Sequence, residues 1–341
     1  LELTLKRLQK KLRPDQSGAV VVVTAVGLVM ILGVAAVAVD LGHLYMVKSE
    51  MQRAADAGAL AGAKALYPYS GTPPGPNWSN GNTVATQIVQ TNKADGVNLT
   101  SATVQAGYWS LTWTPETAPP NLQSQGIIPT SQDVPAVRVT ITKSSDLNPP
   151  AVNLIFAPIF GFRDTSLTAR AVGMIGVPSS IPSGMGFPVA TPKALVDQYW
   201  NLDPPVSFRI GSDYHNPVGG QWTSFTVDEN NVPYIRGLMA NGSPTALSIG
   251  DSIWIQPGTK TALYSNAAAL IGQIVILPVV TTDFETHAWT PILAFVAFYV
   301  EDSVGGSGKY LQGYFVKNYV IPGSTPGGPP TGLFTPPMLV Q

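Results

Sequence analysis

Few residue groups in this 341-residue chain have the types and spacing to do chemistry. The three histidines, His43, His215 and His287, lie far apart in the sequence. His215 sits in the polar run SDYHNP and His287 beside Asp283 and Glu285, so the two could meet as ligands or as an acid/base pair. Their isolation favours a surface or structural role. Asp164-Thr165-Ser166-Leu167-Thr168 has the outline of an Asp-x-Ser-x-Ser metal motif, but the alternation continuing through Ala171 makes it a turn and a strand. Gly305-Gly306-Ser307-Gly308-Lys309 has the outline of a phosphate loop. Ser303 stands where its first Gly belongs and Tyr310 follows the Lys, so it reads as a turn between strands. Asp228-Glu229-Asn230-Asn231 lacks calcium-loop spacing and reads as a hairpin turn. Tyr199-Trp200, Trp222, Trp254 and Trp289 could line a sugar-binding face, although such residues are more often core or interface. There is no cysteine, which removes disulfides, thiolate chemistry and cysteine-type zinc sites. The expectation is a chain that is not an enzyme and uses no cofactor or metal.

Composition narrows the partners. Charged residues are 11% of the chain, against an ordinary share of about 25%. The net charge is −1, so no electrostatic case for nucleic acid exists. A surface built from Ser, Thr, Asn, Gln, Gly and Pro lacks the mutual repulsion that keeps proteins apart. It suits a chain that packs against copies of itself, and equally a plain secreted β-rich domain.

The most informative element is the run Ala19–Val39, AVVVVTAVGLVMILGVAAVAV, which carries no charge. As a helix, the 24 uncharged residues between Asp15 and Asp40 extend about 36 Å at ~1.5 Å per residue, enough to cross a ~30 Å hydrocarbon layer. Lys6, Arg7, Lys10, Lys11 and Arg13 precede it. The positive-inside rule then keeps residues 1–18 cytoplasmic and exports everything after Asp40. A cleaved secretory signal would have a shorter apolar core ending at a small-residue cleavage site. Here the helix-forming sequence LGHLYMVKSEMQRAADAGALAGAKAL continues, so a retained anchor and one helix over 19–66 are predicted. The opening Leu1 in place of Met suggests trimming upstream.

Beyond the helix, residues 67–82 read as loop and Thr83 to Asp95 as a short amphipathic helix. Strand patterns follow over 97–114, in Pro135–Lys143 with Val137, Val139 and Ile141 on one face, and in Thr165–Gly173. Residues 67–176 make one small α+β unit, with a Pro/Ser break near Pro178–Pro182. Residues 177–320 then carry the β runs FRIG, WTSFTVD, DSIWIQPG, IVILPVV, ILAFVAFYV and LQGYFVKNYV, predicting a sandwich- or barrel-like domain. Within it the uncharged stretch Thr261–Thr282 holds Ser265, Asn266, Gln273 and Pro278, which favours core strand over a second span. The Pro/Gly-rich tail 321–341 is expected to build no core. The fold class is therefore α+β.

The stretch Ser17–Leu66 resembles the N-terminal region of TadG-like proteins of the Tad (Flp) pilus-assembly system. It shares Gly18-Ala19-Val20, then Val39-Asp40-Leu41-Gly42, then Gln52-Arg53-Ala54-Ala55-Asp56-Ala57-Gly58-Ala59-Leu60-Ala61. Gly107-Tyr108-Trp109, Ala136-Val137-Arg138-Val139 and the run from Phe160-Gly161 to Leu167–Ala171 extend the likeness over residues 17–176. The resemblance implies a pilin-like, membrane-anchored, exported and non-enzymatic protein of a type IV-related filament or its assembly machine. Two departures stand out. No von Willebrand A-type metal site is found, and Val23 stands where prepilins carry a Glu after the processing site.

The expected role is thus a filament subunit, homo-oligomeric in a helical array, held in the bacterial inner membrane before assembly, displayed extracellularly after it, and served by Tad-type machinery. Ala19, Val23, Gly27, Met30, Gly33 and Val37 would form the membrane or filament-core surface. Asp40, Arg53, Asp56, Gly58 and Gly62 are interface candidates: Asp40 as span terminator or as partner of a neighbour's basic group, Arg53 and Asp56 as an i,i+3 pair, and the glycines as sites of close approach. An anchored assembly factor that stays out of the filament and an anchored adhesin are the alternatives.

Overall fold

The computed structural model describes residues 17–67, 75–112, 122–211, 219–257, 260–329 and 331–340. A single helix, α1 (Ser17–Lys64), carries both the apolar run and its polar, alanine-rich continuation. No Pro or Gly pair interrupts it, and the residues after Asp40 are strong helix formers. Helix α2 spans Trp78–Gln90, starting five residues earlier than the expected Thr83. The reason is a cap: Asn77 Oδ1 accepts the backbone N–H of Asn80 at 3.1 Å, so a loop-like sequence is converted into a helix start.

The chain divides into two compact units. One comprises the described parts of residues 1–55, 89–103 and 140–170; the other takes 56–88, 104–139 and 171–341. The boundary passes through both α1 and α2 and through three strands.

In the first unit, α1 buries Val47, Met51, Ala54 and Ala55. A hairpin made by β4 (Val152–Asn153) and β5 (Asp164–Thr165) belongs to it. A knot around Asn148 closes the unit. Its Oδ1 accepts from the backbone N–H of Thr100 and Ser101, at 2.7 and 2.9 Å. Its Nδ2 donates to the carbonyls of Ser101 and Thr142, at 2.9 and 2.8 Å. A buried amide with its hydrogen bonds satisfied fixes the surrounding loops; left unsatisfied it would cost the fold stability.

In the second unit, a five-stranded sheet has the order β13-β6-β3-β1-β2, formed by β1 (Thr103–Ser110), β2 (Leu122–Gln123), β3 (Asp133–Lys143), β6 (Leu167–Met174) and β13 (Met338–Leu339). Trp109, Val134, Ala136, Val172 and Met174 form its apolar cluster. The alternation read in Pro135–Lys143 appears as predicted, with Val137, Val139 and Ile141 buried. Helix α1 comes very close to this sheet: a Cβ on Gly173 would lie 2.4 Å from the Ala59 carbonyl oxygen, so only glycine fits there.

A six-stranded sheet of order β8-β12-β11-β10-β7-β9 is the larger core of the same unit. Its strands are β7 (Val189–Pro192), β8 (Phe208–Ile210), β9 (Gln221–Trp222), β10 (Ile274–Val280), β11 (Ala294–Val304) and β12 (Tyr310–Val316). All neighbours are antiparallel except β7 with β10. The two edge strands meet where the Gly211 N–H donates to the Gly219 carbonyl at 2.6 Å, so the sheet is a nearly closed barrel. Phe208, Phe298 and Phe315 pack within it, with ring centroids 4.8–6.1 Å apart. Gly313 permits this, since a Cβ there would meet the Tyr299 carbonyl at 1.8 Å.

Three readings are corrected. Thr261–Ala267 is a helix (α5), not strand; only the β-branched Ile274–Val280 is strand. Two further short helices, α3 (Lys193–Tyr199) and α4 (Val232–Asn241), interrupt the β runs. The tail does build core: Leu333, Phe334 and Thr335 are buried, the Phe334 ring stacks on Tyr67, and Met338 pairs with Met174. Pro and Gly discouraged regular structure there, but four apolar residues at the end of the chain found partners. Phe334→Ala removes a fully packed ring and is expected to cost about 3–5 kcal/mol. Urea unfolding of the detergent-solubilised chain measures it; a midpoint equal to wild type would show that the tail carries no stability.

Candidate functional site

The structure gives the two halves of α1 opposite surroundings. From Val20 to Val39 its side chains are exposed around the whole circumference, Val23 at 71% and Met30 at 66%, with Val37 also exposed. Cβ atoms placed on Gly27 or Gly33 would meet nothing within 4 Å. Ala19 belongs to the helix, and its side chain lies outside the described residues. Among the described residues this is the one helix long and apolar enough to cross a membrane. A helix apolar all round is stable only in lipid or among other apolar surfaces.

The half after Asp40 is partly covered by its own chain. Gly62 is packed so closely that a Cβ would lie 2.8 Å from Ala85 Cβ and 3.0 Å from the Gly81 carbonyl. Gly58 is buried as well. The small residues thus allow close approach of the chain's own α2 and sheet. Arg53 is exposed and Asp56 half-buried.

Asp40 marks the change between the halves, and it is only 7% exposed. Its carboxylate accepts four backbone hydrogen bonds: Oδ1 from Ile155 at 2.7 Å and Phe156 at 3.2 Å, Oδ2 from Phe156 at 3.2 Å and Ala157 at 2.8 Å. These amides open a 3₁₀ turn over Ala157–Phe160, so the carboxylate caps the turn's positive end. Burial pushes the Asp40 pKa up, but the Ile155, Ala157 and Phe156 amides and the nearby His43 more than reverse this, leaving it below the ordinary carboxylate value.

Four further residues of the helix brace the same unit. His43 Nε2 lies 3.0 Å from Asp95 Oδ1, and the Asp95 N–H donates to Glu50 Oε2 at 2.8 Å. Lys48 Nζ donates to the Thr168 carbonyl, and Gln52 Nε2 to that of Arg170 at 2.8 Å. Neither the Asp40 clasp nor the Asn148 knot was foreseen. The lone Asp just past an apolar run was the signal for the first; for the second, only the Asn-Pro-Pro turn hinted at anything special.

The groups that might have done chemistry are dispersed. His215 lies outside the described residues. The His287 ring packs edge-on against Trp254, their centroids 5.2 Å apart. Asp164-Thr165 and Leu167–Met174 are strands, and Gly305–Lys309 is the turn between β11 and β12. Asp228–Asn231 is not a hairpin turn: Asn231 caps α4, accepting the Tyr234 N–H at 2.7 Å. Trp222 and Trp254 are buried, and Trp289 is exposed beside Trp254. A groove of about 940 Å³ lies beside Trp200 in the second unit. Of its charged lining residues, Lys193 pairs with Asp197 at 2.6 Å and Lys317 donates to the Leu202 carbonyl at 3.2 Å; Asp203 lines it too. Among the described residues, no set of three or more His, Asp or Glu could hold a metal ion.

Asp40→Asn removes the charge that the three amides share. Their hydrogen exchange is expected to accelerate about tenfold or more, the scale of losing charge-assisted bonds. Because folding lowers the Asp40 pKa, the clasp is complete above the ordinary carboxylate value and is lost as pH falls through its lowered one. Unchanged exchange at Ile155–Ala157, in the variant or in acid, would show that the clasp holds nothing.

Comparison with known proteins finds two families in the first half of the chain. Residues 18–65 match the Flp pilus-assembly TadE/G-like family, and residues 61–172 match the Tad-like Flp pilus-assembly family. No curated protein and no solved structure matches the chain.

Proposed function

We propose that this chain, TadG-like over residues 18–172 and so a protein of the Tad (Flp) pilus-assembly system, is a non-enzymatic structural subunit of a Tad-type extracellular filament. The observation that carries the reading is the bare apolar half of α1. Val20 to Val39 are exposed in the isolated chain, a surface that water does not tolerate and a packed domain would have covered. Before assembly, the bacterial inner membrane covers it, with the basic arm in the cytoplasm and everything after Asp40 exported. After assembly, the same surface packs against its copies in neighbouring subunits, so the partner is a homo-oligomer in a helical array.

The remainder of the chain forms the filament wall. Its low charge lets subunits approach without repulsion. Ala19, Val23, Gly27, Met30, Gly33 and Val37 form the core contact, with the two glycines allowing neighbouring helices to come close. Arg53, exposed on the exported half, is available to a neighbour.

Cryo-electron microscopy of filaments sheared from the source cells tests the proposal. A helical array with residues 19–39 in its core is the expected result. Filaments without this chain, with the chain retained in the inner-membrane fraction, would replace the subunit by an anchored assembly factor.

A further inference from the structure

The hairpin of β4 and β5 ends in a tip that its own unit leaves uncovered. The Leu154 N–H donates to the Arg163 carbonyl at 2.9 Å and closes the loop. Beyond that closure, Ile155, Phe156, Ile159, Phe160 and Phe162 are all exposed, the last three at 78%, 69% and 68%. Five large apolar side chains in one short loop form a patch, not the scattered exposure normal for a surface.

The position of the tip is fixed by three anchors on α1. Gln52 binds the Arg170 carbonyl, Lys48 that of Thr168, and Asp40 the amides of Ile155–Ala157. The chain leading to the tip thus runs alongside the helix toward its apolar half, over about 18 Å for the 12 residues from Gln52 to Asp40. It stops level with the residue that ends the uncharged run. Leu41 and Tyr45, also exposed on α1, belong to the same level, where a bilayer changes from acyl chain to headgroup. Arg163, exposed at the base of the hairpin, is placed to stay among the headgroups while the tip goes deeper.

We infer that the 155–162 tip is a second membrane contact, inserted in the outer face of the bilayer that α1 spans, with Asp40 holding it at that depth. The inference rests on the membrane reading of residues 19–39. The occupant is lipid because the patch is continuous with the end of the span and is apolar, with Arg163 and Asp164 cancelling at its base. The contact is a hydrophobic one, insensitive to salt and to anionic lipid. One helix leaves a domain free to rotate and tilt above the bilayer; a second contact fixes the exported part in one orientation.

The chain has no cysteine, so single-cysteine labelling is unambiguous. Phe160→Cys, Phe162→Cys, Val29→Cys and Ser145→Cys variants of the full chain are labelled with an environment-sensitive fluorophore. Each is placed one copy per nanodisc of zwitterionic lipid, with nitroxide quencher on the acyl chains. Labels at 29, 160 and 162 are expected to be quenched and blue-shifted, and the label at 145 unaffected. Quenching at 29 without quenching at 160 and 162 would overturn the inference while leaving the span intact. No quenching at 29 would overturn the span itself. Labels at 160 and 162 that are unquenched in nanodiscs but shielded in filaments would assign the tip to a neighbouring subunit.

Discussion

A single carboxylate organises the first unit of this protein. Asp40 is the first charge after the uncharged run, at the point where the helix passes from an exposed apolar surface to a packed one. A buried charge there must be satisfied or neutralised. Three consecutive backbone amides from residues more than 110 positions away satisfy it. That bond set does what packing alone would not: it gives the hairpin a defined height along α1. The Lys48 and Gln52 hydrogen bonds then set the direction in which the chain runs between its anchors.

The two halves of α1 differ in their surroundings. Both are rich in small and aliphatic residues, yet one is largely exposed and the other supplies several buried residues. What separates them is the bulk of the side chains. Valine, leucine and methionine in the first half present a broad apolar surface on every side. Alanine and glycine in the second half leave room for a strand or helix to approach at backbone distance, as Ala59 with Gly173 and Gly62 with Ala85 illustrate. The first half is thereby left exposed.

The nearly closed barrel of the second unit has an apolar core. Its stability comes from apolar strands and aromatic rings, with Gly313 making room for the ring of Phe298. The chain end then returns to the five-stranded sheet, so that Met338 and Leu339 shield an edge otherwise open to unwanted pairing.

Much of this was legible in order along the chain. The uncharged run, the basic arm and the unbroken helix formers determined α1, because helix length and hydrophobicity are local properties. Alternation read Pro135–Lys143 and Thr165–Gly173 as strands, close to the observed Asp133–Lys143 and Leu167–Met174, because a half-buried strand records its two faces in its sequence. The family likeness rested on motifs at fixed spacing. The structure alone decided what meets what. Asp40 was readable as the end of a span, but its partners are ordinary backbone amides that carry no sequence signature. Gly58 and Gly62 advertised close approach without saying to which surface. Phe334 and Met338 sat in a Pro/Gly-rich tail whose composition argued against a core. Local pattern sets the conformation and solvent preference of each segment; which segments pair depends on hydrogen bonds and packing between residues far apart in sequence, and only the folded chain brings those together.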